Sequence, residues 1–453
     1  MKLAVGDADL RVRAQTRRLA GRMMSPLCGL VQGVSFMARH RGGPRLVVAG
    51  GNLTGVHVLR GHVEPRRGAY HIGGCGVVLD EALIRTLGES CERYAQVASA
   101  TQLAPQIRVA SHAQLEEAGE PVPAPHKLRF FTSWQHERDR FPFQPFSADA
   151  PMGWLRAGSL LDDTSCWLPA QLLLLGYTPG QPAGLEGREP WLLPAVTTGT
   201  AAHTVPSRAL RNALLELVQV DAAIGGWYAG AAAPEIVPDR RIEALIRLIQ
   251  RQLGPHAEHP AFYWLPSPDL AGLVVACTLR SPTAPFVSVG LGADMVLVRA
   301  LYKALIEAAG GMQLAQINLL EMTLAGQDAA GLDPARMGDL DSNVAFYAAG
   351  GNDQVLRARF GGGRQVRASE LPPDLHLAPG EELRHLARAF SESGKELYGL
   401  DLTTPDLAQL GFRVARAWSP ALLQLPLPSF PPLAHPRFAA YGGVAHVEPH
   451  PYP

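Results

Sequence analysis

Glu89, Glu92 and Arg93 stand at i, i+3 and i+4 of one predicted helix, so all three project from one face, with Thr86 a turn earlier. Two carboxylates so close repel unless a cation lies between them, and the neighbouring Leu83, Leu87 and Tyr94 predict a partly buried helix. A divalent ion taking oxygen ligands, with Arg93 holding a phosphate bidentately, relieves that cost. The competing reading is a solvated face with an internal salt bridge, which for this helix alone is the commoner outcome.

A second stripe is harder to read as surface. Asn212, Glu216 and Gln219 fall at i, i+4 and i+7 inside the apolar run "ALLELVQVDA", and a Glu flanked by Leu214, Leu215, Leu217 and Val218 needs a partner. A third helix carries Lys303 and Glu307 at i and i+4, a pair that alone reads as an ordinary surface ion pair.

These residues sit on helices predicted over Asp80 to Ala95, Ser207 to Ala222 and Met295 to Ala309, with a further helix over Glu381 to Ser393. Each of the first three follows a glycine-containing loop and carries acids in its later turns. Strands are predicted in "RLVVAG" (Arg45 to Gly50) and "LAGLVVACTL" (Leu270 to Leu279), so the fold class is α/β. Pro/Gly-rich breaks at Pro121 to Pro125, Tyr177 to Pro190 and Gly361 to Gly363 divide elements without forming a free linker, which predicts one continuous unit with insertions.

The 453 residues, 47% hydrophobic and 18% charged, suffice for a large core and exclude disordered and collagenous classes. Lys+Arg and Asp+Glu both number 41, so no bulk charge argues for nucleic acid or an anionic membrane. No apolar run reaches the roughly 18 residues of a membrane span, and the N-terminus is too polar for a signal peptide. Cys28, Cys75, Cys91, Cys166 and Cys277 show no metal spacing and read as reduced, mostly buried thiols of a cytoplasmic protein. GxxxxGK[ST], GxSxG and HExxH are absent, and Gly74-x-Gly76 and Gly290-x-Gly292 lack the third glycine of a dinucleotide fingerprint.

At the three helices the sequence resembles the YcaO superfamily. Its S-x-x-E-x-x-E-R motif is met by "TLGESCER" (Thr86 to Arg93), and N-x-x-x-E-x-x-E/Q by "NALLELVQ" (Asn212 to Gln219) with the expected acid at Asp221. The A-L-x-E-x-x-Q helix is half met: Ala304, Leu305 and Glu307 fit, while Gly310 holds the glutamine place and Gln313 is a candidate substitute. "SPLCGLVQG" (Ser25 to Gly33), "SNVAFYA" (Ser342 to Ala348) and "DLTTPDLAQLGFRVARAWSPALLQL" (Asp401 to Leu425) look like azoline-forming members, with Asn343 where a histidine is usual. The ending "PHPYP" (Pro449 to Pro453) is similar to the PxPxP tail of the cyclodehydratase branch.

The resemblance implies a YcaO-type fold, mixed sheets flanked by helices, with a site for ATP and Mg2+ between them. It implies a single domain over residues 1–448 and a proline-rich tail, residues 449–453, entering the active site. Its metal ligands are Glu89, Glu92 and Glu216; Thr86, Arg93, Asn212, Gln219 and Glu307 bind nucleotide; Pro449, Pro451 and Pro453 form the catalytic tail, whose terminal carboxylate is the base or orienter. The implied reaction is ATP-dependent conversion of Cys, Ser or Thr in a ribosomally made precursor peptide to thiazoline or oxazoline. The implied partners are that peptide, an E1-like leader-binding protein and an FMN-dependent azoline dehydrogenase, in a hetero-oligomer. Formation of another amide-derived product, or a scaffold that has lost nucleotide chemistry, are the alternatives.

Overall fold

Three times a strand passes through a two-residue connection straight into a long helix, and these three units position the candidate site. The computed structural model describes residues 10–27, 29–37, 45–55, 71–182, 184–252 and 260–452. Cys28 and Pro453 lie outside the described residues.

An antiparallel sheet joins β1 (Val31–Phe36), β2 (Val47–Leu53) and β3 (His71–Gly76). A second runs β4 (Arg108–Ser111), β5 (Pro151–Ser159), β13 (Tyr398–Asp401), β14 (Arg413–Trp418), β7 (Thr200–His203), with β6 (Ser165–Pro169) against β5. The third runs β11 (Val287–Asp294), β10 (Leu273–Arg280), β9 (Ala261–Trp264), β8 (Glu235–Val237), β12 (Gln365–Arg367), and its β8–β12 pair is parallel. The expected mix of sheets and helices is therefore present. β10 and β11 are buried along nearly their whole length, which explains the unbroken apolar run that marks β10 in the sequence.

β3, β7 and β11 lead into α1 (Leu79–Leu103), α2 (Pro206–Tyr228) and α3 (Leu297–Leu324). A valine caps each N-terminus, Val78, Val205 and Val296, in the extended conformation its branched side chain favours. Valine offers no capping oxygen, and each connection is instead closed by a nearby acceptor: Glu81 takes the Val77 N–H, His203 the Val205 N–H and Asp294 the Val296 N–H. All three helices outlast their predicted ends, the second running through Gly225 and Gly226 and the third through Gly310 and Gly311, and they stop near Pro105, Gly230 and Gly326.

The two Gly-x-Gly pairs serve packing. A Cβ on Gly74 would lie 2.6 Å from the Thr86 hydroxyl, and Cβ atoms on Gly290 and Gly292 would overlap the backbone of α3. These glycines let strand and helix meet at backbone distance. Cys75, Cys91, Cys166 and Cys277 are buried and unpaired, as expected. Among the described residues no helix is long and apolar enough to cross a membrane.

Candidate active site

Helices α1, α2 and α3 bring four carboxylates into one electrostatic cluster: Glu89 and Glu92, Glu216, and Glu307. Burial, then the charge of Glu89, pushes Glu216 up to about 8 from an ordinary 4.5. Burial pushes Glu307 up to about 7, with a backbone hydrogen bond at Leu291 opposing and Glu89 adding to the rise. Glu92 is raised by burial and by Glu89, although the backbone N–H of Ala202 in β7 donates to it at 2.8 Å. Burial and mutual repulsion thus hold these acids toward their protonated forms.

Two arginines are close enough to count. Arg93 donates through Nε to Glu89 at 2.9 Å, the internal salt bridge of the competing reading, and its side chain remains half exposed. Arg416 is buried and donates to the carbonyls of Val196, Thr198 and Leu172 and to the Thr200 hydroxyl, within the field of Glu216. Its charge acts on Glu216 while its hydrogen bonds tie down the segment that leads into β7. Sequence reading passed over Arg416; its inward place with Val414 and Trp418 in β14 follows from period-two alternation.

The other expected site residues separate from this group or support it. Thr86 is fully buried under β3, and its hydroxyl donates to the Ala82 carbonyl, so it serves helix–sheet packing. Asn212 accepts from Arg211, whose guanidinium bridges Glu382 at 2.7 Å and the buried Asp294 at 3.0 Å. Gln219 is half-buried one turn beyond Glu216. The expected Lys303–Glu307 pair does not form: Lys303 bonds Asp294 at 2.9 Å and the Ala293 carbonyl, because Asp294 at the end of β11 lies within reach and is fully buried. A Cβ on Gly310 meets nothing within 4 Å, so the glutamine place is open space, while Gln313 is buried. Asp221 faces away from the acids, its carboxylate enclosed by Arg437, the Tyr441 hydroxyl and the Leu423 N–H.

The C-terminal tail is core, not a frayed end. Pro449, His450, Pro451 and Tyr452 are buried. The Asn343 amide of the helix Leu340–Ala348 donates to the His450 carbonyl at 2.7 Å, and the Tyr347 hydroxyl donates to the Pro449 carbonyl. His450 Nε2 meets the Pro426 carbonyl at 2.9 Å, and the Tyr452 hydroxyl donates to Ala223, one turn past Gln219 on α2. The tail thus runs along the helix that carries Glu216. The departure at Asn343 is a direct tail contact.

Among the described residues no three His, Cys, Asp or Glu side chains are placed to hold a metal ion by themselves. Mg2+ on a nucleotide takes one or two protein carboxylates and fills its octahedron with phosphate oxygens and water, so the raised acids and the half-exposed Arg93 fit such an ion and do not require a closed cage.

The fold is that of known YcaO proteins. A heterocyclase in complex with substrate and cofactor superposes with TM-score 0.70 at 17% identity, over 96% of this chain and 56% of that one, so this chain spans little more than half its length. YcaO from Methanopyrus kandleri bound with AMPPCP and Mg2+ gives TM-score 0.59 at 18% identity, over 91% of each chain. The E. coli microcin synthetase McbBCD complex gives 0.56 at 12% identity, over 93% of this chain and 96% of that one. No curated protein matches the chain by sequence. The family model for the ATP- and Mg2+-binding YcaO cyclodehydratases matches residues 73–423, from β3 to the loop after β14, and the chain belongs to that family.

Proposed function

We propose that the chain is the ATP- and Mg2+-dependent cyclodehydratase of a multi-subunit synthetase, acting on Cys, Ser or Thr of a ribosomally made precursor peptide. The observation that carries this reading is the convergence of Glu89, Glu92, Glu216 and Glu307 from three helices, each of the last three raised toward its neutral form by burial and by the charge of Glu89. Bound Mg2+ supplies positive charge and neutralises the triphosphate. Glu89, Glu92 and Glu216 are the carboxylates offered to Mg2+ in this proposal, one or two of them to each ion with phosphate oxygens and water completing its shell, Arg93 holds phosphate oxygens, and Glu307, Asn212 and Gln219 line the nucleotide site.

The peptide side chain adds to the preceding amide carbonyl, giving a tetrahedral carbon that bears the former carbonyl oxygen. The side chain loses its S–H or O–H proton as this addition closes the ring; the oxygen then takes the γ-phosphoryl group of ATP, releasing ADP, and leaves as phosphate while nitrogen loses its proton, so that the C=N bond of a thiazoline or oxazoline forms. The burial of Pro449 to Tyr452 supports a role for the tail, and in this proposal Pro449, Pro451 and Pro453 form the catalytic tail, with the carboxylate of Pro453 as the base or orienter. The similarity to the McbBCD complex, also known with pro-MccB17 bound, supports a peptide substrate and partner subunits. We assign these as an E1-like leader-binding protein and an FMN-dependent azoline dehydrogenase, working in the cytoplasm.

Intact-mass spectrometry tests the reading. The precursor peptide encoded beside this chain, incubated with the chain, its E1-like neighbour, ATP and Mg2+, should lose one water per modified residue only when ATP is present. An unchanged mass in a folded complex that binds no ATP would point to a scaffold.

A further inference from the structure

The end of the chain is held through its carbonyls and not by strand pairing. Residues 443–452 belong to no helix or strand. Pro449 and Pro451 have no N–H, so a partner strand would find alternate donors missing. The Tyr452 N–H turns back to His450 Nδ1 at 3.3 Å, which leaves the ring proton on Nε2, donating to the Pro426 carbonyl at 2.9 Å.

Three side chains take three consecutive carbonyls of this stretch. The Trp227 indole N–H of α2 donates to Glu448 at 2.9 Å, the Tyr347 hydroxyl to Pro449, and the Asn343 amide to His450 at 2.7 Å. Asn343 and Tyr347 stand at i and i+4 of the helix Leu340–Ala348, so both project from one face. The Trp227 ring meets the rings of Tyr347 and Tyr452 edge-on, each with centroids 6.3 Å apart. Upstream, the Ala445 N–H donates to the Tyr228 carbonyl at 2.7 Å and the Asn352 amide to the Glu448 carboxylate at 2.8 Å.

An aromatic-lined groove with donors for carbonyls is the physical form that recognition of proline-rich segments takes. Successive carbonyls of an extended chain point in different directions, so reading three in a row demands donors from more than one element. A slip of one residue would unmatch all three donors at once. Trp227, Tyr347 and Asn343 are all buried, where an unmatched donor is costly.

We propose that Trp227, Tyr347 and Asn343 form a register reader, a groove specific for a proline-spaced chain end. By holding the carbonyls of residues 448–450 it fixes how much chain, Pro451, Tyr452 and Pro453, extends beyond the last one held. The three are positioning residues that act on the reaction through the tail. That effect on the reaction rests on the cyclodehydratase reading, in which the tail is catalytic.

The experiment compares the full chain with Tyr347→Phe, which deletes one oxygen, and Asn343→Leu, which keeps bulk and removes the donor. The control is Tyr263→Phe in β9, which takes a buried hydroxyl from the Phe360 carbonyl at 2.8 Å. Three quantities are measured: hydrogen exchange of the C-terminal peptide by mass spectrometry, titration with Mg2+ and a non-hydrolysable ATP analogue, and the kinetics of water loss from the precursor peptide. Both reader variants should exchange the His450 and Tyr452 amides about tenfold faster than the parent and lose at least about tenfold in kcat, with nucleotide affinity and peptide KM within about twofold. The control should leave tail exchange and kcat within about twofold. Unchanged tail exchange in both variants, kcat unchanged or lost equally in the control, or nucleotide affinity falling in step with kcat would each overturn the proposal. Faster tail exchange in the variants of a parent that removes no water from its precursor would leave the reader standing and remove the cyclodehydratase reading.

Discussion

The backbone N–H of Ala202 donates to the Glu92 carboxylate at 2.8 Å, so strand β7 fixes an acid that belongs to α1. Ala202 is two residues past Thr200, whose hydroxyl receives Arg416, and three residues before the cap of α2, the helix that carries Glu216. One short strand therefore sets the distance between acids that are more than a hundred residues apart in the chain.

Replacing Glu92 by Gln keeps an oxygen for Ala202 and removes one negative charge. The variant should melt within a few degrees of the parent and bind Mg2+–nucleotide at least about tenfold more weakly. Glu92→Ala should be less stable by about 1–3 kcal/mol, since it leaves the Ala202 N–H unpaired. Calorimetry and nucleotide titration on the two variants separate these effects.

The acids also set a pH dependence. Glu216 and Glu307 lie near about 8 and about 7 in the folded chain, above an ordinary 4.5, so between those limits the folded state holds more protons than the unfolded one. Stability of the metal-free protein should therefore fall as pH rises from about 5 to about 8. Binding of Mg2+–nucleotide, which favours the ionised acids, should strengthen across the same window. Urea melts with and without nucleotide measure both, and Glu216→Gln should flatten part of the slope.

Shortening the tail confounds chemistry with folding, because Tyr452 is 1% exposed and removing an aromatic side chain from a core costs about 3–5 kcal/mol. One glycine added after Pro453 leaves Pro449 to Tyr452 in place and moves the terminal carboxylate by one residue. That variant should keep its melting temperature and nucleotide affinity while cyclisation falls at least about tenfold. Full cyclisation would dissociate the chain end from the chemistry.

Asp221 and Arg437 form a buried pair, 2.7 Å apart, that clamps the segment before the tail to α2. Asp221→Asn leaves Arg437 with the half-exposed Asp269 as its remaining carboxylate and should destabilise the fold by about 3–5 kcal/mol. Addition of Mg2+–nucleotide should raise the melting temperature of this variant by as much as that of the parent. A lost nucleotide response would place Asp221 in the site.

Much of this was legible in the sequence. The stripes Glu89–Glu92–Arg93 and Asn212–Glu216–Gln219 follow from helical spacing, and both helices form; that Glu89, Glu92 and Glu216 share one field could not be read, because it depends on β7 lying between two helices. Thr86 matched a motif by type, yet the missing Cβ of Gly74 draws the strand onto its hydroxyl, a tertiary fact. Lys303 found Asp294 and not Glu307 for the same reason: spacing records neighbours on one helix and is blind to a strand end packed beside it. Asn343 and the tail were each visible as departures or endings, but only the fold brings His450 to Asn343.

The central claim is that acids from α1 and α2 hold a magnesium-bound nucleotide, and calorimetric titration of the full chain with a non-hydrolysable ATP analogue tests it most directly. The parent should bind only when Mg2+ is present, and Glu89→Gln and Glu216→Gln, both still folded, should each lose at least about tenfold in affinity. Binding of equal strength in both variants, or binding that ignores Mg2+, would contradict it.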